Sequence, residues 1–144
     1  MATISADAAP PAWFRVAAVL ALLWNAFGVF QYLSSVALFG DPMASLDPAH
    51  RAAAESVPAA IVGAFAIGTF AGLLGSLGLL LRKRWALPVL LVSLLGLLML
   101  EGWIVFLSGH LEMFGGIALP LTITIVAALL AWLAFHALAK GWLR

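Results

Sequence analysis

Four apolar runs joined by short connections are the feature that most limits what this chain of 144 residues can fold into. Each run holds the roughly 20 consecutive apolar residues that a helix needs to cross a lipid bilayer. The composition, 65% hydrophobic and only 9% charged, excludes a soluble globular domain. The sequence therefore predicts an all-α integral membrane protein, a four-transmembrane-helix bundle over residues 13–144 with helices at about 13–39, 57–81, 85–107 and 117–139.

The segments outside these runs are short. Residues 1–12 are small and polar and contain no Lys or Arg, so they lack the positive start of a signal peptide and predict a flexible cytoplasmic tail. Gly40-Asp41-Pro42 ends the first run. A short surface helix is predicted from Leu46 to Ser56, with Asp47 as its N-cap and Pro48 at its first helical position.

The basic turn Arg82-Lys83-Arg84-Trp85 lies between the second and third runs and indicates the orientation. With both termini on one side of the membrane, six basic residues share the side of this turn, and only Arg51 faces the other side. Basic residues concentrate on the cytoplasmic side. We therefore expect a multi-pass protein of a bacterial-type inner membrane with cytoplasmic N- and C-termini, anchored by Arg15, Arg82, Lys83, Arg84, Lys140 and Arg144.

Several classes of function are disfavoured by what the chain lacks. A net charge of +1 offers no basic surface for nucleic acid, and the absence of cysteine excludes disulfides and thiolate metal sites. His50, His110 and the nearby carboxylates have no metal-site spacing, so no metal and no cofactor are expected. No convergent acid and base set is visible, and we expect no enzymatic activity.

Glu101 is the most informative single residue, because it is an ionisable group inside the third run. At 1.5 Å per residue it lies about 25 Å from Arg84, in the outer third of the membrane. A carboxylate in hydrocarbon is costly and needs protein or water around it. Gln31 and Thr124 fall at about the same depth, so a polar layer of Gln31, Glu101 and Thr124 is one hypothesis; a single structural or interfacial contact of Glu101 is the other.

Two further polar residues lie near the middle of the membrane. Asn25 is about 15 Å from Arg15, and Ser93 is about 13 Å from Arg84, so their side chains are at similar depth. We expect an interhelical hydrogen bond at this level.

Small residues recur every four positions along one face of the second run: Ala64, Gly68, Gly72 and Ser76. Such a stripe lets two helix backbones approach closely. Packing within the same bundle and dimerisation with a second copy are both consistent with it.

Two stretches resemble a family of small bacterial four-helix membrane proteins that are often labelled sugar transporters. The first is Leu22-Leu23-Trp24-Asn25-Ala26-Phe27-Gly28 with Tyr32-Leu33 following it. The second comprises Gly72-Leu73-Leu74-Gly75-Ser76-Leu77 and Leu80-Leu81-Arg82-Lys83-Arg84-Trp85-Ala86. The resemblance implies four membrane-spanning helices and a link to the transport of small solutes.

Two functions therefore compete at this point. The first is a non-enzymatic structural or accessory subunit that associates in the lipid bilayer with itself or with a larger membrane complex. The second is an oligomeric transporter of a small polar solute such as a sugar, with Glu101 and Gln31 lining its path.

Overall fold

The computed structural model describes residues 9–36 and 38–144, and within them it is helical with no strand. Four helices are long and apolar enough to span a membrane: α1 (Ala12–Ser35), α3 (Ala59–Leu80), α4 (Ala86–Phe106) and α5 (Ala118–Ala139). A short helix, α2 (Pro48–Glu55), follows α1, and a 3-10 turn (Leu111–Phe114) precedes α5. The predicted all-α, four-helix membrane bundle is confirmed.

The bounds of α3, α4 and α5 lie within two residues of the predicted ones, whereas α1 ends at Ser35 instead of about Phe39. The hydroxyl groups of Ser34 and Ser35 donate to the carbonyls of Phe30 (2.9 Å) and Tyr32 (2.7 Å) where the helix ends. Apolar residues continue to Phe39, so the sequence pattern does not show that α1 ends at Ser35. Of the predicted tail over residues 1–12, residues 1–8 lie outside the described part of the chain.

The long helices pack in chain order: α3 lies between α1 and α4, and α4 lies between α3 and α5. At the end of the basic turn all four converge on one buried cluster: Phe14, Ala18, Leu79, Ala86, Leu90, Leu133, Ala134, Ala137 and Leu143. The rings of Trp13 and Trp142 lie 5.7 Å apart there. The start of α1 and the end of α5 therefore lie at the same end, which we call the basic end.

The basic turn itself is a Schellman motif that ends α3. The backbone N–H of Lys83 donates to the carbonyl of Gly78 (2.7 Å), and that of Arg82 donates to Leu79 (3.0 Å), with Arg82 in the left-handed region at φ 59°. The segment after α5 binds this turn, since Arg144 N–H donates to the Arg82 carbonyl (2.6 Å). Backbone hydrogen bonding thus joins the basic turn to the segment after α5 at the basic end.

The opposite end carries the connections from α1 to α3 and from α4 to α5. Its described charged side chains are four carboxylates and one guanidinium: Asp41, Asp47, Glu55, Glu112 and Arg51. We call it the acidic end. The two ends of the bundle therefore differ in the sign of their charge.

The small-residue stripe of α3 is buried inside the bundle. A Cβ atom on Gly68 would lie 2.9 Å from a methyl carbon of Leu97, and one on Gly96 of α4 would lie 2.8 Å from the carbonyl oxygen of Ala64. A Cβ atom on Gly72 would overlap the side-chain oxygen of Asn25. The stripe is therefore covered by α1 and α4 of the same chain.

Gly72→Ala should destabilise the bundle, while Gly63→Ala in the same helix should not. The added methyl at position 72 meets Asn25 and, at 3.0 Å, Ser93 Oγ, whereas at position 63 it meets nothing within 4 Å. We expect a loss of about 1–3 kcal/mol for Gly72→Ala, which overpacks the core. Gly63→Ala should be neutral or gain up to about 1 kcal/mol from helix propensity.

Unfolding of both variants in mixed micelles of mild detergent and dodecyl sulfate measures these free energies. Equal stability of the two variants would show that α1 does not pack against α3 at this level.

Candidate functional site

Five polar or charged side chains are buried in the part of the chain that the structure describes: Asn25, Thr69, Ser76, Ser93 and Glu101. In a membrane such groups need hydrogen-bond partners within the protein. The first four have them, and one carboxyl oxygen of Glu101 does not. We call the four hydrogen-bonded side chains the satisfied set: Asn25, Thr69, Ser76 and Ser93. Glu101 is the exception.

The satisfied set joins α1, α3 and α4 around Gly72. Asn25 Nδ2 donates to Ser76 Oγ at 3.0 Å and to the carbonyl of Ala21 at 2.9 Å. Ser93 Oγ donates to the Gly68 carbonyl at 2.6 Å. Asn25 and Ser93 thus lie at one level, as their depths predicted, but each bonds to α3 and not to the other.

Two members of this set have roles that the sequence did not predict. Ser76 is a hydrogen-bond partner of Asn25 as well as a small residue in the stripe. Thr69 was not singled out; its hydroxyl donates to the carbonyls of Phe65 (3.0 Å) and Ala66 (3.1 Å), and its methyl faces Gly28. The sequence feature that could have indicated a buried Thr69 is its position beside the small-residue stripe, one residue after Gly68.

Glu101 is only 5% exposed, and its Oε2 atom has no hydrogen-bond partner in the described residues. The proposed polar layer is not assembled around it. Gln31 is exposed on α1, Thr124 is half-buried on α5, and no hydrogen bond joins either side chain to Glu101. Equal depth places residues at one height, but it does not give the direction in which each side chain points.

Glu101 instead lines a cavity of about 420 Å³ near the acidic end. Residues from all four long helices, α2 and the 3-10 turn surround this cavity. Apart from Ser35 and Glu101 the lining is apolar: Val36, Met43, Ala54, Val57, Val62, Phe65, Leu100, Ile104, Phe114, Leu119, Pro120 and Ile123. Glu101 is the one ionisable residue among these lining residues.

Helix α2 borders this cavity through its inner face. Ala53 is buried and Ala54 lines the cavity, while His50, Arg51 and Glu55 are exposed. Asp47 is the N-cap, as predicted, and accepts the backbone N–H groups of Ala49 and His50 at 3.0 Å. The N–H of His50 lowers the pKa of Asp47, because it stabilises the ionised carboxylate.

A second cavity, of about 10 Å³, lies beside the satisfied set and is lined by Trp24, Asn25, Ser93 and apolar residues of α4 and α5. This is about the space of one water molecule. Within residues 9–36 and 38–144, no three His, Asp or Glu side chains are placed to share a metal ion.

Comparisons of the chain with protein-family models, with curated proteins and with solved structures find no match. The resemblance to small bacterial four-helix proteins rests on the quoted motifs alone. Fold and site define the chain as a four-helix, multi-pass membrane protein in which Glu101, with no hydrogen bond to the described residues, lines an apolar cavity.

Glu101→Met should make the protein more stable. Methionine fills a similar volume without a polar group, and a buried polar atom without a partner costs about 1–3 kcal/mol. We expect a gain of that order in the free energy of unfolding, measured in mixed micelles. Glu112→Met, on the exposed surface near the same end, should leave stability nearly unchanged. A loss of stability in Glu101→Met would mean that Glu101 has a structural partner.

Proposed function

We propose that the protein is a non-enzymatic membrane protein that binds a small molecule in the cavity lined by Glu101. The observation that carries this proposal is that Glu101 lines this cavity while its carboxyl group has no hydrogen bond to the described residues. A volume of about 420 Å³ is within the range of small-molecule sites, which are mostly apolar with a few placed polar groups. A ligand would supply the partner that the described residues do not give Glu101.

Two features favour binding over catalysis and over an open path. Acid–base catalysis uses convergent groups, and the described lining of this cavity holds one ionisable side chain. At the basic end, the apolar cluster around Phe14 and Leu79 fills the space between the helices. Transport across the membrane would require this cluster to open.

The orientation that we propose follows from the charges at the two ends. Six basic residues at the basic end against Arg51 at the other favour a cytoplasmic basic end. In a bacterial-type inner membrane, the cavity would then lie towards the outer face, with both termini inside.

Binding is tested with three cage compounds that share one apolar body: 1-adamantanol, 1-adamantylamine and 1-adamantanecarboxylic acid. Binding of tritiated compounds to the protein in nanodiscs should be saturable, at one site per chain, for at least one of them. Ala54→Trp, which fills the cavity, should weaken that binding at least tenfold. Ala52→Trp, on the exposed face of the same helix, is the matched control and should not.

The proposal is wrong if none of the three compounds binds saturably. It is also wrong if the two tryptophan variants weaken binding equally, since binding would then be outside the cavity.

Assembly through the exposed part of α1 around Gln31 is a second candidate function, and the placement of Gln31 favours it. Its amide is exposed on a spanning helix, on the same face as the 41% exposed Trp24. Polar side chains on spanning helices commonly bond to a neighbouring helix. This face would serve an accessory role, in a homo-oligomer or in a larger complex.

Gln31→Leu should release the 15.1 kDa chain from such an assembly, as measured by the mass of the gently solubilised protein. Thr122→Val removes an exposed hydroxyl from α5 instead and should leave the assembly intact. A wild-type protein that is already monomeric would rule out this function.

A further inference from the structure

The chemistry of the cavity wall narrows the class of ligand, provided that the proposed binding function holds. We infer that the site takes a small amine with an apolar body, whose ammonium group binds Glu101. This assignment rests on the composition of the cavity wall, on the absence of a hydrogen-bond donor to Glu101 in the described residues and on the charge of the acidic end.

The wall of the cavity selects an apolar body. Apart from Ser35 and Glu101, the side chains facing it are aliphatic, aromatic or thioether groups. A sugar placed there would leave most of its hydroxyl groups without partners, and each unpaired group costs free energy. This argues against the polar solute that the sequence suggested and for a ligand with a single polar group.

Glu101 selects a donor for that polar group. A carboxylate only accepts hydrogen bonds, and the described residues donate none to the Glu101 carboxyl group that lines the cavity. An ammonium group supplies up to three N–H donors together with the opposite charge, and charge-assisted hydrogen bonds are the stronger kind. A ligand carboxylate would instead bring two like charges together.

An amine can form the ion pair with Glu101 from either protonation state of the carboxyl group. If the carboxylate is ionised, it pairs directly with an ammonium ion. If it is protonated, a neutral amine takes its proton: the O–H bond breaks, an N–H bond forms, and the same ion pair results without any other reactant. No second ionisable residue lies in the described lining to compete for that proton.

The charge around the cavity acts in the same direction. The acidic end carries four carboxylates against Arg51, and the six basic residues at the basic end lie a helix length away. A surface of one predominant sign raises the local concentration of oppositely charged ligands. Cations are therefore favoured over anions on approach as well as in the site.

The test compares 1-adamantylamine, protonated at pH 7, with 1-adamantanol, which has the same body and no charge. We expect the amine to bind the wild-type protein in nanodiscs at least tenfold more tightly. In Glu101→Gln the two affinities should become nearly equal. Glu101→Asp keeps the charge and should retain the preference, and Glu112→Gln removes an exposed carboxylate outside the cavity and should also retain it.

Each other outcome has a definite meaning. Equal affinity for amine and alcohol in the wild-type protein would overturn the amine assignment and leave small-molecule binding intact. A preference that persists in a folded Glu101→Gln variant would overturn the role of Glu101. Absence of saturable binding for both compounds would overturn the amine assignment, and it would overturn the proposed function as well if 1-adamantanecarboxylic acid also fails to bind. The comparison within the wild-type protein decides the ligand class even if Glu101→Gln does not fold.

Discussion

The close contact of α3 with α1 and α4 is the interaction on which the rest of the structure depends. Lipid offers no hydrogen bonds and little hydrophobic driving force between helices, so association relies on packing and on internal polar contacts. Gly72 permits both, because the absence of a side chain lets Asn25 and Ser93 reach the backbone and side chains of α3. The four-helix arrangement is built outward from this level, with α5 added against α4.

The same principle explains why the two ends of the bundle differ. Towards the basic end, small residues such as Gly75 and Gly78 face α4, and the helices close over a filled apolar cluster. Towards the acidic end, Val62, Phe65 and Ile104 line a cavity instead. Helix α1 also ends at Ser35, so the chain crosses this region as a connection and as α2. The cavity thus lies where α1 has ended and the connection and α2 take its place.

The sequence was sufficient to predict the features that depend on the length of apolar runs and on helical periodicity. It was insufficient for those that depend on the direction in which a side chain points. The four spans, the basic turn, the cap at Asp47 and the shared depth of Asn25 and Ser93 follow from apolar runs, capping residues and the helical rise. The layer of Gln31, Glu101 and Thr124 failed because depth leaves the angle around each helix undetermined. The end of α1 was missed because apolar residues continue beyond Ser35. The cavity could not be predicted, since it arises from several segments that meet only in the fold.

Glu101 stands apart because the chain satisfies comparable groups elsewhere. Each of the other buried polar side chains in the described residues has a hydrogen-bond partner: Asn25, Ser76, Ser93 and Thr69. Unpaired buried polar atoms are rare in native proteins, and they concentrate where a ligand or a reaction completes the site. A leucine or methionine at position 101 would pack in the same apolar lining without that cost. The proposed ligand therefore accounts for a carboxyl group that the packing of this apolar lining does not require.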